Sequence, residues 1–334
     1  MKLDCFTHVF PVKFFDRMQE VVENQAPIKR WLNIPMLYDI DARQRIMDTF
    51  GDYQQILTLS APPIESMAGP DVTPGLARLA NDGMYELVQK YPDRFPAFVA
   101  SLPMNNPDAA VKELDRAIKE LDARGVQIFS NVNGAPLDAP EYFPIFEKMA
   151  GYDLPIWLHP ARGQMFPDYK TEQKSMYEIW FVLGWPYETT VAMARIVFSG
   201  IFDKFPDIKI ITHHMGAMAP YFEGRLGPGW DQLGTRDADT DYADVRERMT
   251  MRPVDYFKKF YADTALFGAV AGTKCGIEFF GIDRCLFASD CPFDPEGGPM
   301  FIRDTIKILN ELEVSEADRE KLFVTNTEKL LKLA

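Results

Sequence analysis

A chain of 334 residues with a formal net charge of −13 is a poor match for nucleic acid or for an anionic membrane surface. With 47% hydrophobic residues it can bury an ample core without disulfides or a structural metal. Its four cysteines, at 5, 275, 285 and 291, show no metal-binding spacing; no basic leader precedes an apolar run and no stretch nears the length of a membrane span, so the sequence predicts a cytoplasmic globular protein.

The first strand is expected over residues 2–10, passing through His8. Residues 12–50 are mixed and aromatic, with a helix expected over 41–50. A second apolar run, 55–60, stops at Ala61-Pro62-Pro63, and Leu76, Leu79, Ala80, Met84, Leu87 and Val88 then recur at helical spacing. A third strand lies within 94–103. Asn106-Pro107 opens a helix that keeps Val111, Leu114, Ile118 and Leu121 on one face. Gly125 is expected to end it, and the strand 126–129 leads to Ser130-Asn131-Val132-Asn133-Gly134. The order continues with helix 140–150, strand 154–159, a loop over 163–184, helix 188–204 and strand 208–213. An irregular stretch with helical pieces over 217–259 precedes strand 260–264, helix 266–280 and strand 285–290, and helices 299–312 and 315–333 close the chain. Eight strands alternating with helices predict an α/β fold, a (β/α)₈ TIM barrel formed as a single domain over 1–334 with an insert around 217–255. The competing doubly wound sheet lacks its Gly-rich phosphate fingerprint after the first strand.

All four histidines, at 8, 159, 213 and 214, fall at the ends of strand-like runs. In a barrel those ends converge on one mouth, which gathers His8, His159, His213 and Asp290 from strands one, five, six and eight. Imidazoles and a carboxylate on separate strands can hold a divalent ion with an open position, as catalytic zinc requires. His214 is expected behind His213 or in the loop, as a hydrogen-bonded histidine. Arg162 can offer a fork to a carboxylate or be a surface cation. Asn131 can contact substrate or form a turn. Trp180, Phe181, Trp185 and Tyr187 can wall a pocket for a flat conjugated molecule or pack the loop down. Cys291 has no base beside it and is not expected to act as a nucleophile. Asp294 and Glu296 read as a solvated or capping loop.

The residues carry a resemblance as well. His8 on strand one, Leu158-His159-Pro160, Thr212-His213-His214-Met215-Gly216-Ala217 and Ser289-Asp290-Cys291-Pro292-Phe293 together resemble the amidohydrolase superfamily. They are most similar to its amidohydrolase-related branch, that of aminocarboxymuconate-semialdehyde decarboxylase and related non-oxidative decarboxylases. Arg94-Phe95 with Leu102-Pro103, Gly125-Val126-Gln127-Ile128 and Pro186-Tyr187-Glu188-Thr189-Thr190 fit the same pattern, so the resemblance spans nearly the whole chain. It implies that His8, His159 and Asp290 ligate a divalent metal, zinc or else manganese. It implies that His213, with Asp290 at the metal, activates water or transfers a proton. It also implies a homodimer in which Arg236 reaches the neighbouring subunit. The branch has His-x-His or Glu-x-His on strand one, whereas this chain has Phe6-Thr7-His8. Three protein ligands then suffice, or a water fills the gap, or the site works without metal. Asp4, expected by alternation on the same face as Phe6 and His8, reads as structural.

Three functions follow as expectations. The first is a metal-dependent non-oxidative decarboxylase of an unsaturated or aromatic carboxylate, a small molecule. The second is a hydrolase or hydratase of a ring-cleavage product, lactone or amide on the same scaffold. The third is a catalytically retired barrel that only binds, with Phe6 as its support.

Overall fold

The structure, a computed structural model, describes residues 1–22, 28–236 and 239–333. In chain order its strands are β1 (Lys2–Val9), β2 (Tyr53–Leu59), β3 (Ala97–Phe98), β4 (Ala100–Ser101), β5 (Val126–Phe129), β6 (Asn131–Val132), β7 (Ala135–Pro136), β8 (Ile156–His159), β9 (Ile210–Thr212), β10 (Tyr261–Asp263) and β11 (Cys285–Leu286). All pair in parallel with their neighbours except β6 and β7, which form a small antiparallel hairpin outside the wall. β3 and β4 are two halves of one strand, joined through Val99, whose N–H donates to the Leu57 carbonyl at 2.9 Å. At the other seam, Cys5 N–H donates to Phe287 O at 2.9 Å, Asp290 N–H to Phe6 O at 3.2 Å and His8 N–H to Cys291 O at 2.9 Å. These bonds bring the last strand back to the first and close the predicted (β/α)₈ barrel.

Parallel strands between two hydrophobic layers must be apolar on both faces, and these are. Leu3, Cys5, Phe6, Ile56, Val99, Trp157, Ile211 and Leu286 fill the interior, while the outward residues pack under the helices. Trp157 is the largest inner side chain and donates Nε1–H to the Cys5 carbonyl at 3.1 Å. The interior below the mouth is therefore a packed core.

One local irregularity decides the site. Pairing of β1 with β2 runs Asp4 to Gln55 and then Thr7 to Leu57, so β1 carries one extra residue there. This bulge puts Cys5 and Phe6 both inside the barrel and restores His8 to the inner face. It also corrects the alternation argument for Asp4. That carboxylate points outward, accepting from the Tyr53 hydroxyl at 2.6 Å and from Ser289 N–H at 3.0 Å.

The helices follow the expected order. Pro107–Leu121 starts at Asn106, whose side chain accepts Ala109 N–H at 3.2 Å, and ends at Asp122 in the left-handed region (φ 57°) rather than at Gly125. The expected helix 188–204 is two helices, Gly184–Ser199 and Ile201–Lys204, broken at Gly200 (φ 84°), where only glycine avoids the Cβ clash. The described residues of 217–259 hold three short helices, Glu223–Asp231, Ala243–Arg248 and Pro253–Phe257. Among the described residues no helix is long and apolar enough to cross a membrane.

Candidate metal centre

Four strand ends bring His8, His159, His213 and Asp290 together, and one donor atom from each lies within 4.8 Å of the others. All four side chains are buried. His8 Nε2 is 2.9 Å and His213 Nε2 is 3.3 Å from Asp290 Oδ1. The other ring nitrogens are held from behind. His8 Nδ1 faces Thr58 Oγ1 at 3.1 Å, His159 Nδ1 faces the Pro160 carbonyl at 2.7 Å, and His213 Nδ1 faces Asp263 Oδ2 at 2.5 Å. Orientation of each imidazole by a second partner is what a metal-binding histidine needs. Asp290 itself sits at φ 62°, in the left-handed region that aspartate enters more readily than most side chains.

The charges on the cluster are separated by environment. Burial works against a positive His213, but the carboxylates of Asp263 and Asp290 outweigh it and lift the ring to about 9. Burial and the neighbouring His213 and His8 push His159 well below the ordinary imidazole range. Burial opposes charge on Asp290 too, yet His213 and His8 hold its carboxyl well below the usual carboxylate range. His213 is thus the imidazole whose surroundings most favour a positive ring, with Nδ1 against Asp263 and Nε2 facing the site.

Phe6 lies among the donors. Its ring centroid is 4.3 Å from that of His213, 5.0 Å from His8 and 5.9 Å from His159, and the ring is fully buried. It forms an apolar floor and offers no ligand atom. His214 is in the loop, as expected. Its backbone turns to φ 54°, its ring stacks on His213 at 3.7 Å, and its Nδ1 faces the Ala265 carbonyl at 2.7 Å. Burial and the charge on His213 lower it to about 4, so it serves as a neutral support.

The remaining candidates divide. Trp185 reaches the site, its ring 5.4 Å from His159, and Phe181 packs on it at 4.7 Å. Phe129, 4.9 Å from His159, and Phe293, 5.2 Å from His8, complete an aromatic rim. Arg162 pairs with Glu188 through Nη1 at 2.6 Å, and its guanidinium also lies over the Phe166 ring at 5.0 Å. Asn131 is the turn former: its Oδ1 accepts Gly134 N–H at 2.8 Å and its Nδ2 donates to Ala161 O at 2.6 Å. Tyr187 is half out of the protein and lies by the Arg162 guanidinium at 5.9 Å rather than by the donors. Arg236 is exposed and bonded to Gly229 O at 3.0 Å, away from this chain's cluster. Cys291 is buried and burial pushes its thiol up to about 12, in keeping with no nucleophilic role.

Two residues escaped the sequence reading. Asp263 ends β10 as an acid in an apolar run, the same signal that marked Asp290. Arg30 carried no signal. Its guanidinium lies 5.6 Å from the Phe181 ring and 5.8 Å from the Phe293 ring, and it donates to Phe293 O at 2.6 Å. Among the described residues no carboxylate pairs with it.

The profile of the amidohydrolase family matches residues 4–333. The chain is 34% identical over 317 residues to a gamma-resorcylate decarboxylase of Polaromonas sp. (strain JS666), covering 92% of each. It is 30% identical over 351 residues to a 2-amino-3-carboxymuconate-6-semialdehyde decarboxylase of Dictyostelium discoideum, covering 100% of this chain and 92% of that one. The crystal structure of a dihydroxybenzoic acid decarboxylase from Polaromonas sp. JS666, with bound manganese and the inhibitor 2-nitroresorcinol, aligns with a TM-score of 0.77. That alignment has 29% identity and covers 99% of this chain and 97% of that one.

Proposed function

The chain belongs to the amidohydrolase family, and on that premise we propose that it is a metal-dependent non-oxidative carboxy-lyase of an aromatic or unsaturated carboxylate. The observation that carries the proposal is the convergence of three imidazoles and a carboxylate, with His213 clamped to Asp263, beneath an aromatic rim. That donor set fits a divalent ion, held by His8, His159 and Asp290 and able when bound to polarise the oxygens of a substrate carboxylate and its neighbouring hydroxyl or keto group. Zinc suits imidazole with carboxylate; manganese suits the carboxylate-rich end of the same range and is the ion in the aligned decarboxylase structure.

The chain's own groups then have these roles. Trp185, Phe129 and Phe293 hold a flat ring over the donors. Arg30, a mouth cation that meets no carboxylate partner among the described residues, balances the negative substrate as it enters. In the reaction the bond between ring carbon and carboxylate breaks, its electron pair stays on carbon, and carbon dioxide leaves. His213 supplies the proton from Nε2 to that carbon, and Asp263 stabilises the ring through Nδ1–H as the proton moves. The same proposal includes a homodimer, with exposed Arg236 turned toward a partner, and a cytoplasmic location, supported by four unpaired thiols.

The test is to load the protein with manganese or zinc and supply gamma-resorcylate (2,6-dihydroxybenzoate) and related hydroxybenzoates. Release of carbon dioxide with one equivalent of the decarboxylated phenol is the expected result. Incorporation of water-derived oxygen into a product without loss of carbon dioxide would replace this reading with the hydrolytic one.

A further inference from the structure

Behind the donors, on the outer face of the barrel wall, buried polar groups link the strand carrying His8 to the segment carrying Asp290. Arg43, fully buried in the helix Ile40–Met47, donates Nη1–H to the His8 carbonyl at 2.6 Å and Nε–H to Gln55 Oε1 at 2.7 Å. Gln55 Nε2 donates to the Tyr53 hydroxyl at 2.9 Å and to Cys291 Sγ at 3.3 Å. The Tyr53 hydroxyl donates to Asp4 Oδ2 at 2.6 Å. Asp4 Oδ1 in turn accepts Ser289 N–H at 3.0 Å and Phe6 N–H at 3.4 Å. Every side chain in this series is fully buried.

Buried charged groups can often be replaced by apolar side chains of similar volume without loss of stability, so filling space does not by itself account for this arginine and aspartate. What these groups bond to argues for more. Arg43 fixes the carbonyl of one donor residue. Asp4 fixes the N–H immediately before the other, at the point where the chain enters the left-handed turn of Asp290 (φ 62°). The bulge that turned Asp4 outward is what makes this possible, because it sends Phe6 and His8 to one face and Asp4 to the opposite one.

We infer that Arg43, through Gln55, Tyr53 and Asp4, is a positioning residue of the metal centre, setting where His8 and Asp290 present their donor atoms. The inference rests on the metal reading above and adds to it the residues that pre-shape the site from outside the barrel. Because the series never touches the donors' side chains, its effect acts on metal affinity through backbone placement.

The experiment titrates manganese against a competing chelator, well below each variant's Tm. Arg43→Met should weaken manganese by about 10- to 100-fold, the range for groups that orient metal ligands from behind. Arg43→Lys should recover part of that loss, since an ammonium can still reach the His8 carbonyl but cannot serve Gln55 at the same time. Tyr53→Phe breaks the series at Asp4 with almost no change of volume and should weaken manganese several-fold. Leu114→Ala, buried in the helix Pro107–Leu121 away from the centre, lowers Tm without moving the affinity, and so separates positioning from general stability. A folded Arg43→Met protein that binds manganese as tightly as the unmodified one overturns the inference. If that variant does not fold, unchanged affinity in Tyr53→Phe overturns it. Absence of manganese binding in the unmodified protein would instead remove the metal reading, and this role with it.

Discussion

The floor and the rim of the mouth are built on different principles. On the floor every donor side chain is buried and each imidazole is held by a second partner: Thr58 behind His8, Pro160 behind His159, Asp263 behind His213. Toward the rim, the segment after β8 exposes Tyr169, Tyr177, Val182, Leu183 and Tyr187, and Arg30 rests on aromatic faces with a backbone bond to Phe293 O. A floor of that kind places atoms to within tenths of an ångström and tolerates little change, which is what reacting groups need. A rim of that kind selects by shape and charge and can be altered without moving the chemistry. On the proposed function, chemistry belongs to the strand ends and substrate choice to the loops.

Mutations can break that assignment at either level. Asp290→Ala removes a donor and leaves three imidazoles without their carboxylate; turnover should fall on the order of 10³-fold or more and bound metal should be lost, read by metal analysis of the purified variant. His213→Asn should lower kcat by roughly 10²- to 10⁴-fold while the metal stays, because on the proposed mechanism it deletes the proton donor and spares the ligands His8, His159 and Asp290. Loss of metal from that variant would show that His213 is itself a ligand. At the rim, Arg30→Met should raise KM about tenfold with kcat within about twofold, the mark of lost ground-state binding. An equal fall in kcat would move Arg30 from the rim to the chemistry. Phe6→Glu should have the smallest effect on turnover yet tighten manganese on the order of tenfold, since it points a carboxylate at the donors from the floor. Affinity unchanged in a folded Phe6→Glu protein would mean that the floor is too far from the ion to supply a ligand.

The same division explains what could be read from the chain alone. The strand ends were legible because apolar runs announce strands and a histidine or aspartate at the end of such a run is chemically conspicuous. His8, His159, His213 and Asp290 were found this way, and the barrel with them. Asp263 carried the same mark as Asp290 but lay outside the stretches, such as Ser289-Asp290-Cys291-Pro292-Phe293, that carry the family resemblance. The inner and outer faces of β1 were misjudged at Asp4 because a one-residue bulge leaves no trace in composition and reverses the alternation beyond it. The rim was the least legible. Arg162 looks free in sequence, but Glu188 lies 26 positions away and reaches it only through the fold of the loop. Arg30 depends likewise on contacts that pattern does not encode, whereas the turn of Asn131 with Gly134 is local and was among its readings.

The most direct test is to strip the protein with chelator and follow carbon dioxide release from carboxyl-labelled gamma-resorcylate as manganese or zinc is restored. The account predicts no release from the stripped protein and full recovery at one ion per chain. Undiminished release from the stripped protein, or its failure to take up an ion at all, would contradict it.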